Sequence, residues 1–295
     1  WRAELRASSR LLLALCIAAG EAVPARVLAQ HGADSTRITT AAPAKRQSTD
    51  DAWWTGPMLA ASPNTLPAGH FLVEPYIYDV RTPHTEGFGS LTYVNYGITN
   101  TFTVGLIPTF GFTMVSEGTS SSGIGMGDLS LLAQYRLAQW HPGGRVPTIA
   151  FVVQEALPTG KYDRLGNRPS DGLGGGAYTT QLSIYSQTFF WMPNGRLLRT
   201  RLDVSGSFSN SVHVEDASVY GTAAGFRGRA WPGSSVFTDL AGEYSVTQRW
   251  VLALDLTFRH GANTRVAGYD AFDPSSIPDP PSIVFNSGSS DAFGF

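Results

Sequence analysis

The chain is poor in three things on which proteins of its length commonly rely. Cysteine occurs once among 295 residues, at Cys16, so no intrachain disulfide can form and no thiol follows it to act as a nucleophile. Lysine occurs only at Lys45 and Lys161, and the 15% of charged residues sum to a net charge of −2. That balance leaves neither a basic surface for nucleic acid nor an acidic tail. Long apolar runs are missing as well: Leu11 to Ala19 falls far short of the ~20 residues that a membrane-spanning helix needs. A mean hydropathy of −0.06 is too polar for a helical membrane protein, but it suits a barrel, whose lipid face takes only every second residue.

What is present is alternation. Leu252, Leu254, Leu256 and Phe258 fall on one face of an extended chain, with Asp255, Thr257 and Arg259 on the other. The same pattern sets Phe102, Val104, Leu106, Phe110 and Phe112 against Thr103 and Thr109. It sets Leu129, Leu131, Ala133, Tyr135 and Leu137 against Asp128, Ser130, Gln134 and Arg136, and Leu202, Val204 and Phe208 against Arg201, Asp203 and Ser205. Strands are expected at about 70–80, 90–98, 102–113, 126–139, 147–157, 177–190, 197–208, 236–246 and 250–260, with a tenth beginning near Ser289. Residues 218–230 read as a hairpin arm within an outer loop.

Alternation alone also describes a soluble sandwich, so the strand ends decide between the two. Phe102, Trp140, Phe190, Trp191 and Trp250 stand beside short turns, where a lipid–water interface accommodates an aromatic ring with one wet edge. The opposite ends lead into long polar loops at about 81–89, 114–125, 158–176, 209–234 and 261–289. Short turns on one side and long loops on the other are the asymmetry of a bacterial outer-membrane barrel, with turns in the periplasm and loops outside. The expected fold class is therefore all-β, an antiparallel transmembrane β-barrel.

The first residues fit the export that such a location requires. Arg2, Arg6 and Arg10 precede the apolar core, and Val27-Leu28-Ala29 offers small residues for cleavage, with Ala25 as an alternative site. Cys16 follows Leu15 rather than the small residue that lipoprotein processing wants, so it is expected to leave with the peptide. The domain reading is a signal peptide at 1–29, a flexible periplasmic leader at 30–52 and a barrel at 53–295. Pro57, Pro63 and Pro67 make 53–69 an ordered but irregular approach to the first strand. Trp1 in place of Met, and a last strand that ends after a few residues, lead us to expect a chain truncated at both ends; the alternative is that Ala292-Phe293-Gly294-Phe295 is a genuine terminal strand with a C-terminal aromatic.

Local motifs argue against other chemistries. Gly160-Lys161 lacks the upstream Gly and the following Ser or Thr of a phosphate loop, since Glu155 and Tyr162 occupy those places. Asp163, Asn167 and Asp171 match no calcium-loop spacing. The glycines of 123–127 precede a strand, not the helix of a dinucleotide site. No serine stands in a recognisable pairing with His70 or His260, so neither enzyme activity, nor a cofactor, nor a metal is expected.

Several motifs together resemble a known family. Trp54-Thr55-Gly56-Pro57, Glu74-Pro75-Tyr76, Gly125-Met126-Gly127-Asp128-Leu129 and Leu157-Pro158-Thr159-Gly160-Lys161 are similar to those of the outer-membrane transporters labelled "MetA-pathway of phenol degradation". The resemblance covers roughly residues 53–295. It implies a barrel of about twelve strands in the complete protein and transport of small solutes, with aromatic or hydrophobic ones suggested by a phenol label that reflects genetic context in some members.

Alternation places Glu74, Asp128, Gln134, Arg136, Gln181, Arg201, Asp203, Asp239, Glu243, Asp255, Thr257 and Arg259 in the lumen. Such a mixed-charge wall serves either a selective polar channel or a salt-bridged plug. A surface-binding barrel that uses its long loops is a third reading, and a lipid-acting hydrolase a fourth. The expected partners are outer-membrane lipid and an unidentified small solute, with no nucleic acid; the oligomeric state is left open.

Overall fold

A computed structural model describes residues 44–270 and 282–295. The expected signal peptide and the leader up to residue 43 lie outside the described residues. Apart from single 3-10 turns at Thr49–Asp51 and Pro169–Asp171, all the regular structure described is β. No helix described is long and apolar enough to cross a membrane.

The strands follow the alternating segments. In chain order they are β1 (Phe71–Arg81), β2 (Thr85–Thr99), β3 (Phe102–Ile107), β4 (Thr109–Val115), β5 (Gly125–Met126) and β6 (Leu129–Ala138). After them come β7 (Thr148–Leu157), β8 (Thr179–Trp191), β9 (Leu197–Ser209), β10 (Val212–Glu215) and β11 (Phe226–Trp231). The last are β12 (Ser235–Ser245), β13 (Val251–Gly261), β14 (Arg265–Asp270), β15 (Ser282–Asn286) and β16 (Ser290–Gly294). All pairings are antiparallel.

One continuous wall runs β1-β2-β3-β6-β7-β8-β9-β12-β13-β16, so β9 pairs β12 across the β10–β11 hairpin and β13 pairs β16 across β14 and β15; β1 lies at one edge and β16 at the other. Among the described residues these two edges do not meet, so the sheet is not closed. β3 and β4 are one strand interrupted at Pro108, which has no N–H for the ladder; both lie on the same edge of β2.

Register carries the two faces from strand to strand, because directly opposed residues point the same way. One inward row runs Tyr185, Asp203, Asp239, Thr257, and a parallel row runs Gln187, Arg201, Ala241, Asp255. The outward face carries Leu202, Leu240 and Leu256 in register, and Leu252, Leu254 and Leu256 remain 66%, 55% and 43% exposed. An apolar surface this extensive is out of place against water.

At the loop end the wall continues past a break into a second sheet, in the order β10-β11-β14-β15. Val212, Val214, Phe226, Ala230 and Val266 form its core with Ala177, and Tyr162, Tyr220 and Phe285 pack against it. The expected loops 209–234 and 261–289 thus carry paired strands, and 226–231 is an arm of a hairpin. The expected 81–89 loop shrinks to a turn, since β2 begins at Thr85 and pairs with both β1 and β4. Gly87 and Gly89 hid that extension, because glycine carries no face preference.

Candidate functional site

The irregular segment before β1 enters the wall's concave side. Its prolines prevent it from joining a ladder, so its free N–H groups need acceptors from elsewhere. The wall has the complementary need, because buried carboxylates accept hydrogen bonds and require donors. Each side satisfies the other.

The segment is first fixed at the short-turn end. Gln47 accepts from Trp191 Nε1 at 2.9 Å through its carbonyl and donates from Nε2 to Ser245 Oγ at 2.9 Å. Its own N–H donates to Gly195 O at 2.9 Å. Gly195 has φ of +78°, and a Cβ there would fall 2.4 Å from Lys45 O, so a side chain would push the segment away. Trp54, Phe189, Trp140 and Trp191 form an aromatic cluster at this mouth, with ring centroids 4.9–6.0 Å apart in successive pairs. The Arg199 guanidinium lies 4.7 Å over the Trp54 ring while it pairs with Glu243.

Inside the wall the segment runs as a strap, residues 53–69, that meets the inward carboxylates. Gly56 N–H donates to Glu243 Oε1 at 3.1 Å. Met58 N–H donates to Asp255 Oδ2 at 3.0 Å, and Leu59 and Ala60 N–H donate to Oδ1 at 3.2 and 3.1 Å. Ala61 N–H reaches Asp203 Oδ2 at 2.6 Å. Arg201 donates from Nη1 to Ala60 O at 2.8 Å and from Nε to Gln187 Oε1 at 2.9 Å. The strap then crosses to the opposite wall, where Gln134 Nε2 donates to Ser62 O and Asn64 O at 3.0 and 3.1 Å. Leu66 N–H finds Thr103 Oγ1 at 2.9 Å. Gly97 admits the passing strap, since a Cβ there would stand 2.1 Å from Pro67 O.

The sequence-predicted inward residues therefore divide into groups. Arg201, Asp203, Asp239, Glu243 and Asp255 gather beside the strap, all buried, and Gln134 holds its far side. Arg136 donates to Asn100 O at 2.9 Å near the short-turn end, and Gln181 donates to Ser183 Oγ at 3.2 Å. Asp128 serves the other mouth, accepting from Gly160 N and Gly175 N at 2.9 and 2.7 Å and so pinning the 158–176 loop to the rim. Glu74 is exposed on the edge strand, Thr257 is half-buried, and Arg259 is exposed with its guanidinium 5.7 Å over Phe237.

Of the aromatics assigned to the interface, Phe102 shares the outward face with Tyr135, and Phe190 and Trp250 are exposed. Trp140 and Trp191 are corrected: they pack in the inward mouth cluster. Successive strand residues face opposite ways, so Phe190 and Trp191 cannot both point outward. Residues 44–52, expected to be part of a flexible leader, are held against the turns by Gln47 and Trp53.

Sequence reasoning missed Arg199, although its parity with Arg201 and Asp203 was legible. It also missed the tyrosines. Tyr93 and Tyr185 pack with Leu91 against Ile107, Leu132 and Val152, and Tyr76 meets Tyr93 edge-on at 5.9 Å. The strap's contacts left no local signal at all.

Of the histidines considered for catalysis, His260 Nδ1 lies 2.7 Å from Asp291 Oδ1, and no hydroxyl partner to its ring is found among the described residues. No group of three His, Cys, Asp or Glu described is placed to hold a metal ion.

No family model and no curated protein matches the chain. Among solved structures it is similar to an outer membrane channel from Pseudomonas putida F1, with a TM-score of 0.51 and 16% sequence identity. The match covers 79% of this chain and 94% of that one. The likeness identifies the fold as that of an outer-membrane β-barrel.

Proposed function

We propose that this chain is an outer-membrane channel for small solutes, closed at rest by its own strap. The observation that carries the reading is where the inward carboxylates find their donors. Asp255 takes three from the strap and, among the described residues, none from the wall, and Asp203 takes one more from the strap. A charged wall whose bonds run to a removable segment, and not only within itself, becomes a lined passage when that segment leaves. The apolar outward face supports a membrane location, and the arginine-led N-terminal segment supports export to it. Tyr93 and Tyr185, packed with Ile107, Leu132 and Val152, give the passage an apolar side, which favours small aromatic or apolar bodies over sugars.

The competing reading is a permanent scaffold, favoured by the number of strap bonds. Planar-bilayer recording of the full chain and of Asp255→Asn/Glu243→Gln separates the two. A channel shows rare openings that become frequent in the double variant, with vesicle uptake of aromatic solutes exceeding that of sugars. A barrel that stays silent in both forms, while correctly inserted, is a scaffold.

A further inference from the structure

The strap leaves one carboxylate untouched. Asp239 is 0% exposed, and neither of its oxygens has a hydrogen-bond partner among the described residues; Asp203 Oδ1 lacks one too. Register sets Asp239 directly opposite Asp203 on β12 and β9. Side chains so opposed have Cβ atoms about 4.5–5.5 Å apart, and like charges at that spacing repel. A buried ionised carboxylate without a donor is disfavoured, so the pair demands either protons or a cation.

Arg201 lies near enough to Asp203 to attract it, yet among the described residues no guanidinium donates a hydrogen bond to either carboxylate of the pair. Arg201 directs Nε and Nη1 to Gln187 and Ala60, Arg199 pairs with Glu243, and Arg259 lies over Phe237. Asp255, the remaining carboxylate of this wall, adds further negative charge while it holds the strap. On the other side of the pair, Tyr185 stands opposite Asp203 on β8; it packs against the Ile107, Leu132 and Val152 cluster that Tyr93 also covers, and Tyr93 meets Tyr76 edge-on. Aromatic faces beside unsatisfied carboxylates form the environment that attracts an organic cation.

We propose that Asp239 and Asp203 bind the ammonium head of a small arylalkyl or alkyl ammonium solute, whose apolar body lies along the Tyr185–Tyr93–Tyr76 band. The inference rests on the channel reading for its meaning as a substrate site. Ala61 occupies Asp203 Oδ2, so the ammonium is held by Asp203 Oδ1 and the two oxygens of Asp239.

The test is equilibrium binding to the full chain in lipid nanodiscs, with phenethylammonium, the uncharged phenethyl alcohol and potassium alone as probes. The ammonium is expected to bind at least tenfold tighter than the alcohol at pH 7. Asp239→Asn should abolish that preference and leave the weak binding of the alcohol unchanged, while Asp239→Glu should keep it. Should Asp239→Asn fail to insert, Asp203→Asn reads the same preference. Equal affinity for ammonium and alcohol in the native protein would overturn the proposal and leave a protonated carboxylate pair. An Asp239-dependent potassium site with no gain from the ring overturns the ammonium assignment in favour of an inorganic ion. Bilayer conductance on the same samples keeps the two readings apart: conduction without ammonium preference removes this site alone, and ammonium binding without conduction removes the channel alone.

Discussion

Replacing Asp255 by asparagine should release the strap, and the size of the effect follows from its three bonds. Met58, Leu59 and Ala60 donate at 3.0, 3.2 and 3.1 Å to a carboxylate that is buried. A hydrogen bond to a charged group contributes about 1.5–3 kcal/mol, so three independent ones would give about 4.5–9 kcal/mol. That sum is an upper bound, because two of the donors share Oδ1 and such bonds are not additive. Asparagine keeps one acceptor oxygen and turns an amide toward a donor, so it should forfeit about half of the grip, about 2–4 kcal/mol. The undocked fraction then rises about 30- to 1,000-fold. With Cys16 replaced by serine, Ala60→Cys provides a single thiol at a position only 4% exposed. Its maleimide labelling should be slow alone and at least tenfold faster with Asp255→Asn. Met58→Cys, at a position 85% exposed, should label equally in both backgrounds. An Ala60→Cys rate unaffected by Asp255→Asn would refute the assignment of the carboxylate as the strap's clasp.

Leu254→Arg, on the outward face opposite Gly242, should cost about 2–4 kcal/mol in urea unfolding from lipid vesicles; a change below about 0.5 kcal/mol would mean that this face does not meet lipid. At the rim, the Ser122 backbone N–H and hydroxyl hold the Asp171 carboxyl below the usual carboxylate range, opposed by partial desolvation. Because its folded value is depressed, the contact between the 116–124 and 158–176 loops contributes fully above the ordinary value of about 3.9 and is lost as pH falls through the folded one. Carboxyl carbon NMR should therefore show Asp171 titrating below 3.9, and a midpoint at or above it would contradict the clasp. For orientation, Asn167→Cys in the long loop should react with an impermeant maleimide on intact cells, whereas Pro193→Cys in the short turn should not; the reverse would invert the topology.

Much of the wall is determined by sequence, because strand period and side-chain direction are local properties. Leu252 to Phe258 could alternate with Asp255, Thr257 and Arg259 only on an extended segment, and β13 runs Val251–Gly261, within a residue of its expected bounds. The inward facing of Arg201, Asp203, Asp239, Glu243 and Asp255 follows from the same rule. What parity could not supply is the level of one strand against the next, which sets Asp239 opposite Asp203 and leaves its oxygens unmet. Nor could it supply the direction of Trp140, which lies beyond the end of its strand. The strap was hidden most deeply. Pro57, Pro63 and Pro67 announce only that no regular element forms there, while Met58 binds a residue 197 positions away. Backbone N–H groups look the same at every residue, so which carboxylate they meet depends on how the folded wall brings acceptors to an otherwise unpaired chain.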